Sequence, residues 1–153
     1  LGVYCIMSSH FHLLVRELVA NGISQFMQKL ITAYTMYFNI RNQRTGSLFE
    51  GRFRARHAHN DEYLKYLYSY IHLNPVEHIE PAWKNSGIKN ISKVKNYLQN
   101  YQHSSFLDYL KTKRPESAIL MPAKFPNYFE KKANFINEVI SWLEFKPEQP
   151  IPY

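Results

Sequence analysis

Two histidines one residue apart, and a tyrosine one helical turn before an asparagine, are the groups in this sequence best suited to chemistry. In His10-Phe11-His12 both imidazoles share a face if the segment is a strand, because side chains alternate across a strand. They can then address one cation while Phe11 turns inward. A pair of half-buried packing histidines gives the same pattern, and a metal site needs a third ligand. Tyr70 and Asn74 lie one turn apart on one helix face, in a series with Tyr63 and Tyr66. Such an aromatic stripe is ordinarily core. A phenol beside a neutral oxygen ligand also suits attack on a phosphodiester. Tyrosine, with a reference pKa of about 10, is a weak nucleophile near neutrality, and a divalent ion that polarises the phosphoryl oxygen offsets this.

Basic residues gather nearby in sequence. Arg52, Arg54 and Arg56 alternate with Phe53 and Ala55, which predicts an extended strand carrying three guanidinium groups on one face. A charged edge strand and a phosphate-contacting strand read alike here. Lys65, on the helix of Tyr70, is either a phosphate contact or a solvated lysine. His57, His59, His72 and His78 are assigned structural or solvated roles; His72 falls about 200° around the helix from Tyr70 and faces elsewhere.

The elements that must position these groups follow from periodicity. Residues 2–7 and 10–16 are short apolar runs separated by Ser8-Ser9, hence two strands or one strand broken at a kink. From Ile23 to Phe38 apolar residues recur at three and four, an amphipathic helix with Ser24 as its cap. Asn60-Asp61-Glu62 opens the helix of Tyr70 with a capping residue and two acids, and Pro75 ends it. Short helices are expected near 92–100 and 104–111, and a last one over about 128–143, before an extended tail carrying Pro147, Pro150 and Pro152. Residues 1–80 read as the core and 81–153 as a helical C-terminal extension.

Nineteen Lys+Arg against twelve Asp+Glu give a formal charge of +7, which favours polyanionic partners. Twelve Tyr and ten Phe are enough to supply base-stacking surfaces in addition to core. No apolar run approaches the roughly 20 residues that span a bilayer, so no membrane partner is expected. The lone Cys5 cannot form an internal disulfide and is expected as a buried thiol, compatible with a reducing cytoplasm. Leu1-Gly2-Val3-Tyr4-Cys5-Ile6-Met7 lacks the features of a signal peptide and reads like a strand entered midway.

Three ordered segments carry a family resemblance. Met7-Ser8-Ser9-His10-Phe11-His12-Leu13-Leu14-Val15, then Gly46-Ser47-Leu48-Phe49-Glu50-Gly51-Arg52-Phe53, then Tyr70-Ile71-His72-Leu73-Asn74-Pro75-Val76 resemble the motifs of the REP-associated single-tyrosine HUH transposases. Weaker similarity runs through Ile23 to Asn39 and touches Ser104 to Leu110, covering roughly residues 2 to 110. The resemblance implies an α+β fold with a ferredoxin-like antiparallel sheet and packed helices. It also implies recognition of single-stranded or hairpin DNA, and a Mg²⁺ or Mn²⁺ ion on His10 and His12. Tyr70 would be the nucleophile that forms a 5′-phosphotyrosine intermediate. Asn74 stands where relatives place a metal-assisting Gln, and Arg52, Arg54, Arg56 and Lys65 would contact DNA, with Phe49 or Phe53 beside its path. The implied setting is the prokaryotic cytoplasm at the nucleoid, and a homodimer that shares active sites stays open. Ser8-Ser9 replaces the family's usual Pro-Asn, Glu77 replaces its usual basic residue, and the strand and helix that usually precede the HUH strand are not represented. A catalytically silent hairpin-binding module is the competing expectation.

Overall fold

The computed structural model describes residues 1–129 and 132–141, with the backbone alone for 132–134. The chain forms two compact units, one built from Leu1–Val15 together with Ala58 onward, the other from Arg16–His57. The architecture is α+β: helices accompany a two-stranded antiparallel sheet.

In the first unit, β1 (Val3–Ile6) and β2 (Phe11–Leu14) pair with Cys5 opposite His12 and Ile6 opposite Phe11. Ser8-Ser9 is therefore the turn of a hairpin, closed by the Met7 N–H donating to the His10 carbonyl at 2.8 Å. The second edge of β1 is also covered. Ile6 N–H donates to the His103 carbonyl and Ser105 N–H to the Tyr4 carbonyl, while Cys5 bridges Ser104. These two serines belong to the sheet edge, so the helix expected over 104–111 shrinks to α5 (Phe106–Tyr109), numbered after α3 and α4 below. Cys5 sits fully buried between the two partners, and burial pushes its thiol up to about 12.

Helix α2 (Asp61–Leu73) packs on both strands. Its start is the expected one: the Asn60 Oδ1 accepts the Tyr63 N–H at 2.7 Å, satisfying one of the amides that a helix N-terminus leaves open. Its end is sharper than a simple stop. Pro75 cannot donate an amide, and the chain tightens into a 3-10 turn over Asn74–His78. Residues 68–73 are all buried, so the last turns of α2 contact neighbours around their whole circumference. Short α3 (Trp83–Ser86) and then α4 (Ile91–Asn100) follow, the latter capped by Asn90 and burying Val94 and Leu98. Helix α6 (Lys132–Ser141) falls inside the expected 128–143, with Tyr128 and Phe129 ahead of it, and it packs on α2. The Pro147–Pro152 tail lies outside the described residues.

Far from Tyr70 around α2, His72 is completely buried among Phe106, Tyr109 and Phe135, its Nε2 2.9 Å from the Ser105 hydroxyl. Arg114 fastens the same region. Its guanidinium donates to the Gln102 and Ser104 carbonyls and to the Tyr4 hydroxyl, and it pairs with Asp108 at 3.2 Å, both side chains being buried. Gly2 is required by close approach, since a Cβ there would stand 2.9 Å from the Phe125 ring.

The second unit holds α1 (Gly22–Arg41) and a loop that folds back on its last turns. Ser24 is not the cap. A turn closed by Gly22 N–H to the Val19 carbonyl starts the helix earlier, with left-handed Asn21 at φ 61° in the capping position and no side-chain cap bond. Asn is among the few residues that tolerate that conformation. Asn39 Nδ2 donates to the Gly46 carbonyl, and Phe49 packs on Tyr34. The expected strand through Arg52, Arg54 and Arg56 does not form; the segment is irregular and its three arginines are exposed. Alternation defines faces only where a neighbouring strand supplies a ladder, and here none does.

Two stability predictions follow from the first unit. Arg114→Ala leaves Asp108 buried without its cation and should cost about 3 kcal/mol in urea unfolding. Burial holds the His72 imidazole down to about 3, against an ordinary value of 6.5. The unfolded chain therefore takes up this proton first, and stability present above pH 6.5 is lost as pH falls toward 3. His72→Gln should flatten the acid limb by up to one proton, about 1.4 kcal/mol per pH unit, in urea midpoints measured between pH 6.5 and 4.

Candidate active site

His10, immediately before β2, and His12 within it come together on the hairpin. The His10 and His12 rings meet edge to face with centroids 4.9 Å apart, and the Ser9 hydroxyl lies 3.3 Å from His10 Nδ1. If His10 Nδ1 donates to that hydroxyl, Nε2 keeps its lone pair. His12 is half-buried, and its Nε2 is buried without a hydrogen-bond partner. Burial, then the charges of His10 and Lys84, lower its pKa to about 4, so near neutrality His12 is a neutral imidazole, the form that ligates metals.

Tyr70 comes to this pair from α2. Its ring packs edge to face on His12 with centroids 5.8 Å apart, closing the gap between two segments nearly sixty residues apart in sequence. Tyr63, Tyr66 and Tyr70 stack along one face of α2 as the three-and-four spacing implies, with successive centroids 6.4 and 5.9 Å apart. All three are buried, Tyr70 at 5% exposure, so Tyr63 and Tyr66 line up behind Tyr70. Burial pushes the Tyr66 hydroxyl well above its ordinary value of 10, which leaves it a poor nucleophile.

Asn74 has a role that spacing alone did not show. Both its backbone N–H and its side-chain Nδ2, at 2.9 Å, donate to the Tyr70 carbonyl, so it closes the last turn of α2 beneath the tyrosine. With Nδ2 so engaged, Oδ1 is the remaining atom. It is buried without a partner in a residue of 0% exposure. An orphaned acceptor of this kind is costly unless something fills it. Two imidazoles and an amide oxygen make a donor set that fits Mg²⁺ or Mn²⁺ with water completing the shell. Among the described residues no three His, Cys, Asp or Glu side chains gather into a metal-binding group.

Lys84 and Glu77 were not among the expected site residues. Glu77, in the 3-10 turn, and Lys84, in α3, form an ion pair at 2.9 Å. The Lys84 ammonium stands 5.6 Å from the Tyr70 ring centroid and interacts with the Tyr70 hydroxyl. Burial acts to lower the lysine's pKa, but Glu77 and Tyr70 outweigh it and hold the ammonium charged. The Lys84 hydrogen bond in turn keeps the Glu77 carboxyl below its ordinary value. Neighbouring Trp83 also packs on Tyr70, with centroids 6.3 Å apart. A sequence signal existed only in part: Pro81 marks a turn that can send the chain back toward α2, but nothing local says which side chain returns.

The remaining expected residues are placed as follows. Lys65 is half-buried on α2, about 140° around the helix from Tyr70, and so points away from it. Arg52, Arg54 and Arg56 lie in the other unit. His59 stacks on Tyr63, and His78 Nδ1 lies 2.9 Å from the Tyr97 hydroxyl.

Alanine at His12 should abolish Mn²⁺ binding followed by calorimetry, whereas alanine at His78 should leave it unchanged. Because burial lowers the His12 pKa to about 4, protonation of His12 itself should not compete with the metal until the pH falls well below 6.5. Comparison of the chain with protein-family models, curated proteins and solved structures finds no match, so a functional reading rests on this geometry together with the motif resemblance.

Proposed function

We propose that this chain is a metal-dependent DNA transposase of the single-tyrosine HUH type, which cleaves and rejoins single-stranded DNA beside a hairpin. One observation carries it: the Tyr70 ring packs against His12 of the His-x-His strand within one unit of one chain. A nucleophile and candidate metal ligands that are distant in sequence are thereby adjacent. Completion of a ferredoxin-like sheet around the observed hairpin, and a prokaryotic nucleoid setting, belong to the same proposal.

In this mechanism the Tyr70 hydroxyl attacks the phosphorus, the Oη–P bond forms, and the bond to the 3′ oxygen breaks. The phenol proton passes through solvent to the departing 3′ oxygen, so atoms and charges balance without an oxidant or nucleotide cofactor. Reversal with another 3′ hydroxyl rejoins the strand, because the phosphotyrosine bond conserves the phosphodiester. His10, His12 and Asn74 would hold the Mg²⁺ or Mn²⁺ ion, which supplies Lewis-acid polarisation of the phosphoryl oxygen when bound. Asn74 also holds the Tyr70 carbonyl, which fixes the end of the helix from which the phenol projects. Trp83 and Tyr66 confine the ring, limiting its rotamers and excluding water. Arg52, Arg54 and Arg56, exposed on an irregular segment, would contact DNA phosphates.

The 5% exposure of Tyr70 favours, as a second reading, a hairpin-binding module that no longer cuts. Incubation with labelled single-stranded hairpins of varied flanks and Mn²⁺, followed by denaturing electrophoresis, separates the two. The transposase reading expects a covalent adduct that Tyr70→Phe abolishes and chelation of the metal prevents. DNA that binds but never becomes covalent across the panel would instead establish the binding module.

A further inference from the structure

Glu77 stands where a basic residue would help attract phosphate, and by its sign it should weaken the site. The fold answers that charge with Lys84, whose ammonium Glu77 grips at 2.9 Å. The pair is anchored at both ends. Glu77 rides on the 3-10 turn that begins with buried Asn74 and Pro75, and Lys84 follows Trp83, itself buried against Tyr70. The Lys84 Nζ stands over the Tyr70 ring, 5.6 Å from its centroid, and the ammonium interacts with the Tyr70 hydroxyl. The ammonium stands over both the Tyr70 and Trp83 rings and is held there by the Glu77 carboxylate.

We propose that Lys84 is a catalytic residue of the strand-transfer reaction, contacting a non-bridging oxygen of the phosphate under attack, and that Glu77 is the positioning residue that holds it there. This inference rests on the transposase reading above. Its geometry is restrictive. A phosphorus poised for attack stands about 3 to 3.5 Å from the Tyr70 oxygen, so an ammonium already beside that oxygen is within reach of the phosphate's own oxygens. As the Oη–P bond forms and the bond to the 3′ oxygen breaks, negative charge accumulates on those oxygens. A pre-placed ammonium stabilises that charge without rearranging. Glu77 serves a second purpose before DNA arrives, keeping the cation from drawing away from the ring.

The test compares the wild-type chain, Lys84→Ala, Lys84→Met, Lys84→Arg and Glu77→Gln. Single-turnover adduct formation with the hairpin panel and Mn²⁺ is measured alongside hairpin affinity and thermal melting. Lys84→Ala should slow adduct formation by about 10²- to 10³-fold, the range for loss of one charge-stabilising donor, with affinity changed less than about fivefold. Lys84→Arg should recover at least about tenfold of that loss. Lys84→Met, which keeps an unbranched side chain and removes the charge, should be as slow as the alanine variant and stands in for it if alanine unfolds the chain. Glu77→Gln should slow adduct formation while hairpin affinity holds or tightens, a divergence that a merely structural carboxylate would not produce. The Lys84 role is overturned if a folded Lys84→Met or Lys84→Ala chain forms adduct within about threefold of wild type. It is also overturned if rate and affinity fall by the same factor. A wild-type chain that forms no adduct with any hairpin removes the transposase reading itself, whereas a Tyr70-dependent adduct untouched by loss of Lys84 removes this inference alone.

Discussion

Helix α2 is buried on opposed faces at once, and the positions of the reactive groups depend on that constraint. One face carries Tyr63, Tyr66 and Tyr70 toward the histidine hairpin, while the other sinks Tyr68 and His72 among Phe106, Tyr109 and Phe135. A helix packed on a single side can roll by tens of degrees at modest cost. One gripped on both sides cannot, because close-packed interiors resist displacement. The register between Tyr70 and His12 is therefore set by residues that take no part in chemistry. His72 belongs to that group, completely buried with its Nε2 2.9 Å from the Ser105 hydroxyl.

Local rules made the site's components legible and left their assembly hidden. The Asn60 cap, the stop at Pro75 and the pairing of His10 with His12 each depend on residues within a few positions of one another. Sequence chemistry specifies such features directly. The contact between Tyr70 and His12 was suggested by motif order, since nothing in periodicity joins a strand to a helix so far along the chain. Lys84 was missed for a related reason. Its meaning comes from the turn between α2 and α3, whose path is decided by the burial of Trp83 rather than by any signal at residue 84.

Where local pattern failed, it failed for want of a partner. Arg52, Arg54 and Arg56 alternate as strand residues do, yet a strand exists only as part of a ladder, and the preceding glycines turn the chain at positive φ. Ser24 has capping chemistry, but a turn three residues earlier starts the helix first. Ser104 and Ser105 fell within a segment expected to be helical, and the open edge of β1 recruited their backbone instead. In the last case a tertiary contact outweighed a propensity worth a fraction of a kcal/mol per residue.

The closure of β1 by that serine segment has a consequence for synthesis. The contact spans 101 residues between Tyr4 and Ser105, and Arg114 must arrive before the segment is tied down. Chain emerging from a ribosome presents the histidine hairpin long before it can present the strand's second neighbour. A two-stranded hairpin alone is marginal in water, and long loops close late. The histidines, the tyrosine and its lysine are thus brought into register only once residues past 114 have been made. A chain that ends before Arg114 would carry the histidines, Tyr70 and Lys84 in its sequence without the closure of β1 that Ser105 and Arg114 supply.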